Sequence, residues 1–219
     1  MRAQARPKPR SLGGGPSRTR LSRDGRIGAI TVFVTGHAYT SSFSTETTLV
    51  NMETGERIGE LESFTTWRDG ARIQADDFNF WGVTFTSDAN IFYASLRTRG
   101  TTYLVKGDVS QRRMTLLKDN VECPSISPDD ALIGYKKRLG PTSPEWRLHV
   151  LDLATMTEAA VAGERRSIDD QVEWLDASHL LYGVPRAESA ATDVWVVPID
   201  GSAPPRVFLE EAESPVVVR

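Results

Sequence analysis

Val121-Glu-Cys-Pro-Ser-Ile-Ser-Pro-Asp-Asp-Ala-Leu-Ile-Gly-Tyr-Lys-Lys137 reads as a strand, a tight turn and a returning strand. The first strand ends at Ile126. Pro128 pre-sets the turn, and Asp129 and Asp130 carry side chains suited to bonding nearby backbone N–H groups. Leu132 to Tyr135 returns as an apolar strand. The same plan recurs in Leu21-Ser-Arg-Asp-Gly-Arg-Ile-Gly-Ala-Ile30, Phe85-Thr-Ser-Asp-Ala-Asn-Ile-Phe-Tyr93 and Trp174-Leu-Asp-Ala-Ser-His-Leu-Leu-Tyr182.

Each copy is followed by a second hairpin with an apolar strand, a polar turn and a more polar outer strand. These lie at Thr48–Ile58, Tyr103–Met114, Leu148–Glu158 and Val194–Pro204. Four strands per unit, recurring every 40–50 residues or so, is the pattern of a β-propeller blade. The expected fold is therefore all-β, about four four-stranded blades in a partial or incomplete ring. The units fall at about 21–62, 80–117, 121–161 and 172–209. Ser63–Asn79 is an insertion, with Trp67-Arg-Asp-Gly70 at the tip of a further hairpin or loop. Ser214–Val218 reads as a closing innermost strand.

The Ser-Pro-Asp-Asp turn followed by Leu-Ile-Gly-Tyr resembles the repeat of TolB-like bacterial propellers, which carry WD-like repeats of the Ser-Pro-Asp-Gly type. Asp77-Phe-Asn-Phe-Trp-Gly-Val-Thr-Phe85, Val121–Asp129 and Asp169-Asp-Gln-Val-Glu-Trp-Leu-Asp176 resemble a subgroup described as "TolB-like translocation protein". The resemblance covers Leu21 to the C-terminus. It implies a six-bladed ring in relatives, so this chain reads as a shortened member. It also implies work with envelope lipoproteins and an extracytoplasmic location in the periplasm or cell envelope.

Composition is that of an ordinary soluble chain, 39% hydrophobic and 25% charged with a net charge of −3. No strong field favours nucleic acid. The lone Cys123 excludes an intramolecular disulfide and a Cys-rich zinc site. No run reaches the ~18 apolar residues of a membrane span, and no apolar signal-peptide core follows the basic start. Residues 1–20 hold six basic residues and no acid, and read as a disordered basic tail with no strand before Leu21.

Aligned on the turn, Trp81, Glu122 and Asp170 occupy equivalent places four residues before the anchors Phe85, Ile126 and Trp174. The inner strand starts near the propeller axis, so these residues converge on one funnel. Glu122 and Asp170, with Asp77 or Asn79 nearby, form a candidate acidic ring for a cation or a basic peptide. Adjacent acids such as Asp129-Asp130 point to opposite faces of a strand and make no facing dyad. The three histidines, His37, His149 and His179, lack metal spacing, and no nucleophile elbow, phosphate loop or dinucleotide fingerprint is present. No cofactor is expected. The expected function is non-catalytic binding of a protein or peptide, with self-association through an open propeller edge. The competing readings are a propeller glycosidase or lyase using Glu122 and Asp170, and a non-functional remnant of a longer gene.

Overall fold

The structure is a computed structural model that describes residues 14–36, 43–140 and 143–218. The Ser/Thr-rich loop with His37 and Tyr39 lies outside the described residues. Four blades form, each an antiparallel meander. Blade 1 comprises β1 (Gly15–Leu21), β2 (Ile27–Thr35), β3 (Ser44–Asn51) and β4 (Arg57–Glu60). After a 3₁₀ turn at Leu61–Ser63 comes the hairpin β5 (Thr65–Arg68) and β6 (Ala71–Ile73). Blade 2 is β7 (Asn79–Phe85), β8 (Ile91–Thr98), β9 (Thr101–Asp108) and β10 (Arg113–Asp119). Blade 3 is β11 (Glu122–Ile126), β12 (Leu132–Arg138), β13 (Trp146–Asp152) and β14 (Glu158–Ala160). Blade 4 is β15 (Glu173–Trp174), β16 (His179–Pro185), β17 (Thr192–Pro198) and β18 (Arg206–Leu209). The inserted hairpin joins blade 2 from outside, where β5 pairs parallel to β10 and makes that sheet six-stranded.

The turn that repeats in sequence repeats in atomic detail. In blade 1 the Ser22 hydroxyl donates to Asp24 at 2.6 Å and accepts from the Ile27 N–H at 2.9 Å. In blade 3 the Ser127 hydroxyl donates to Asp129 at 2.6 Å and accepts from the Leu132 N–H at 2.9 Å. The hydroxyl thus replaces a backbone partner inside the turn and fixes the hairpin register.

Packing between blades explains why the inner strands read as unbroken apolar runs. β7 is buried from Phe80 through Phe85 and β11 along its whole length, because both faces are covered by neighbouring blades. One apolar cluster, with Leu49, Leu61, Phe80 and Phe92, joins blades 1 and 2. A second, with Leu104, Ile133 and Tyr135, joins blades 2 and 3. A third, with Leu148, Trp174 and Val197, joins blades 3 and 4. β7 and β11 come closest at Gly82, whose φ of +64° suits glycine. A Cβ there would lie 3.0 Å from Cys123 Cα.

Three expectations are corrected. Residues 15–20 are not disordered tail: they form most of β1, in register from Gly15 opposite Phe33 to Leu21 opposite Gly28. A strand therefore does precede Leu21. It escapes an apolar pattern because a ladder with β2 and ion pairs from Arg18 and Arg20 hold it. Ser214–Val218 is not a paired closing strand. Among the described residues it has no ladder partner, Ser214 has a φ of +53°, and Val217 packs against Leu181, Val194 and Val196 of blade 4. His179 opens β16.

Candidate central site

The inner strands bring blade 1 against blade 4 through polar contacts. Arg18 pairs with Asp170 at 3.6 Å and Arg20 with Glu173 at 3.2 Å. Beside this seam is a cavity of about 540 Å³, walled by β1 from Pro16 to Arg20, by Phe33, by Asp169 and Gln171, and by Ser214 to Val216. A second hollow of about 460 Å³ opens toward the hairpin turns, with Thr19, Arg20 and Val216 bordering both.

The three residues aligned in the sequence, Trp81, Glu122 and Asp170, and their neighbours Asp77 and Asn79 do not line either cavity. Trp81 is core, 2% exposed, and meets the Phe43 ring edge-on at 5.4 Å. Asn79 links blades 1 and 2, accepting the Thr45 N–H at 2.8 Å. Asp77 caps the β8–β9 turn, accepting the Thr98 hydroxyl and the Arg99 N–H, each at 2.6 Å. Those two bonds hold its carboxyl below the usual range. Asp170 accepts the Gly183 N–H at 2.9 Å while facing Arg18. Glu122 is buried and accepts from Arg138 at 3.2 Å.

Asp170 therefore supports the cavity from behind through Arg18, whereas Glu122 is spent on Arg138. Arg138, held by Glu122, lies 4.4 Å from the Trp146 ring centre, and Lys136 lies 4.7 Å from the same ring. Lys136 is fully buried and bonds Asp169, the acid that reaches the cavity wall. Burial opposes the Lys136 ammonium, but the nearby Cys123, Asp169 and Glu122 outweigh it and raise its pKa. Asp169 carried no signal beyond its place beside Asp170. Gln171 was missed because its second role is distant: it donates to the Pro124 carbonyl at 2.8 Å and so ties blade 4 to blade 3.

A glycosidase needs two carboxyls facing one pocket, whereas Glu122 and Asp170 each face a guanidinium. Ser178, His179 and Asp176 lie close together, but the hydroxyl and the carboxylate both contact Nδ1, at 3.0 Å each. A catalytic triad needs them on opposite ring nitrogens, so this is local turn chemistry. Among the described residues no group of three or more His, Cys, Asp or Glu is placed to hold a metal. No helix among them is long and apolar enough to cross a membrane.

No protein-family model and no curated protein matches the chain. Among solved structures it is similar to TolB from Acinetobacter baumannii, at 12% identity and a TM-score of 0.65, over 91% of this chain and 45% of that one. It is similar to a TolB candidate from Agrobacterium tumefaciens, at 11% identity and a TM-score of 0.62, over 95% of this chain and 74% of that one. It is also similar to a puromycin-hydrolyzing peptidase of Mycobacterium tuberculosis, at 11% identity and a TM-score of 0.61, over 94% of this chain and 30% of that one. At these identities the likeness speaks for the fold. The fold is a β-propeller similar to the propellers of these proteins, carried here by four blades.

Proposed function

We propose that the chain is a non-catalytic scaffold that takes an extended segment of a partner protein into the central cavity. The observation that carries this is the cavity of about 540 Å³ that runs along β1, lined by Pro16 to Arg20. Among the described residues β1 has β2 as its strand neighbour, and Ser214–Val216 lies across the same cavity. A groove that runs along a strand takes an extended segment, and the side chains beside it select which segment binds. Asp169 and Gln171 provide the selecting polar groups, with Phe33 as an apolar wall. Phe33 is only 7% exposed, so it offers a ring edge rather than a platform.

The resemblance to TolB-like propellers favours the same reading, since relatives work with envelope lipoproteins outside the cytoplasm. Peptide-display selection against the protein tests it. The expected result is an enriched motif whose synthetic peptide binds at least about tenfold more weakly to Asp169→Ala with Gln171→Ala. Equal binding to that variant contradicts the site, and turnover of the bound peptide contradicts the non-catalytic reading.

A further inference from the structure

A separate cavity of about 340 Å³ lies at the outer rim of blade 2, beneath the β5–β6 hairpin. Arg68 and Arg72 from the hairpin and Arg99 from the β8–β9 turn line it, with Tyr103, Ile73 and Phe78. No carboxylate lines it, in a chain whose net charge is −3. Asp69 lies beside Arg68 at 3.6 Å, at the exposed hairpin tip. Asp77 is close to Arg99, but its carboxylate takes the Thr98 hydroxyl and the Arg99 N–H. Among the described residues neither Arg72 nor Arg99 has a carboxylate within ion-pair distance. The Arg68 guanidinium is 5.5 Å from the ring centre of Tyr103, which lines the same cavity.

We propose that this cavity binds a small phosphate monoester carried on a flat, apolar ring. Guanidinium groups donate paired N–H bonds that match phosphate oxygens, and three of them at one cavity suit a dianion better than a single carboxylate. Ile73 and Phe78 give the ring a dry surface, and the volume suits one small molecule. The hairpin lies outside the four-strand repeat, so blade closure does not require it. Its arginines are therefore not there to complete the blade.

Calorimetric titration of the intact protein with phenyl phosphate, inorganic phosphate and phenol tests the proposal. Phenyl phosphate binds at least about tenfold tighter than inorganic phosphate, and phenol gives no measurable heat. Arg72→Ala with Arg99→Ala weakens phenyl phosphate binding by about tenfold or more. The milder Arg99→Lys keeps the charge and also weakens it, because the fork is lost. The exposed Arg26→Ala on blade 1 leaves it unchanged. Absence of phenyl phosphate binding at millimolar concentration overturns the proposal. So does equal affinity for inorganic phosphate, or an equal loss in Arg26→Ala.

Discussion

At the scale of single residues, Glu62 and Asp130 do work that their neighbours in sequence do not announce. Glu62 accepts the Thr47 N–H at 3.2 Å and the Phe80 N–H at 3.4 Å, at the junction of blades 1 and 2. Burial pushes its pKa from 4.5 to about 7, and the backbone donors offset only part of that. Between pH 4.5 and 7 the unfolded chain therefore releases a proton that the folded chain keeps, so stability falls as pH rises, by about 3 kcal/mol from this group. Glu62→Gln removes that slope, and urea unfolding at pH 5 and pH 8 measures it. Persistence of the slope in the variant would place its origin elsewhere. Glu158 works in the opposite sense at lower pH. Burial disfavours its charge, but bonds from Lys137 and Tyr135 and the field of Lys118 hold its pKa at about 2. Its stabilisation is present above pH 4.5 and is lost as pH falls toward 2. Asp130, at φ +61°, accepts the Ser87 N–H at 2.9 Å and Arg23 at 2.9 Å, which joins three blades. Asp130→Ala is expected to cost about 1–3 kcal/mol in denaturant unfolding, and a neutral result would remove the joint. The turn around Asp130 was legible in the sequence. Its partners were not, because Ser87 and Arg23 stand 43 and 107 positions away.

Among the elements, apolar strands were the easiest to read. β8, β12, β16 and β17 declare themselves by β-branched and aromatic runs bounded by turn residues. The inserted hairpin was visible from Asp69-Gly70, both at positive φ. β1 was not visible, because Arg18 and Arg20 break any apolar alternation. Its ion-pair partners, Asp170 and Glu173, lie at the far end of the chain. The residues that line the cavity were not visible for a related reason. Alignment on the turn found equivalent positions, but three of the four inner strands, β1, β7 and β11, carry local irregularities that redirect side chains. Register shifts fall between Trp81 and Thr84, between Glu122 and Ser125, and between Pro16 and Arg18. Gly107 on β9 tests the packing of blade 2. A Cβ there would come within 2.1 Å of the buried Phe92 ring. Gly107→Ala therefore overpacks the core at a cost of about 1–3 kcal/mol, read as a lower melting temperature. An unchanged melting temperature would mean that β8 and β9 do not pack in this register.

For the whole molecule, three blade junctions are apolar and the fourth, between blade 4 and blade 1, rests on the Arg18–Asp170 and Arg20–Glu173 pairs. Four repeats were legible because each is a local hairpin pair. How the ends meet was not, because it depends on charges at opposite ends of the chain. That polar seam frames the central cavity, so the fold and the proposed function depend on it together. Zero-length carbodiimide coupling of the Arg20→Lys protein tests it most directly, since the Arg20 guanidinium lies 3.2 Å from Glu173. Mass spectrometry of the monomer is expected to find an amide between position 20 and Glu173 in one chain. A monomer without that link, or the link found only between two chains, would contradict a propeller in which blade 4 closes on blade 1.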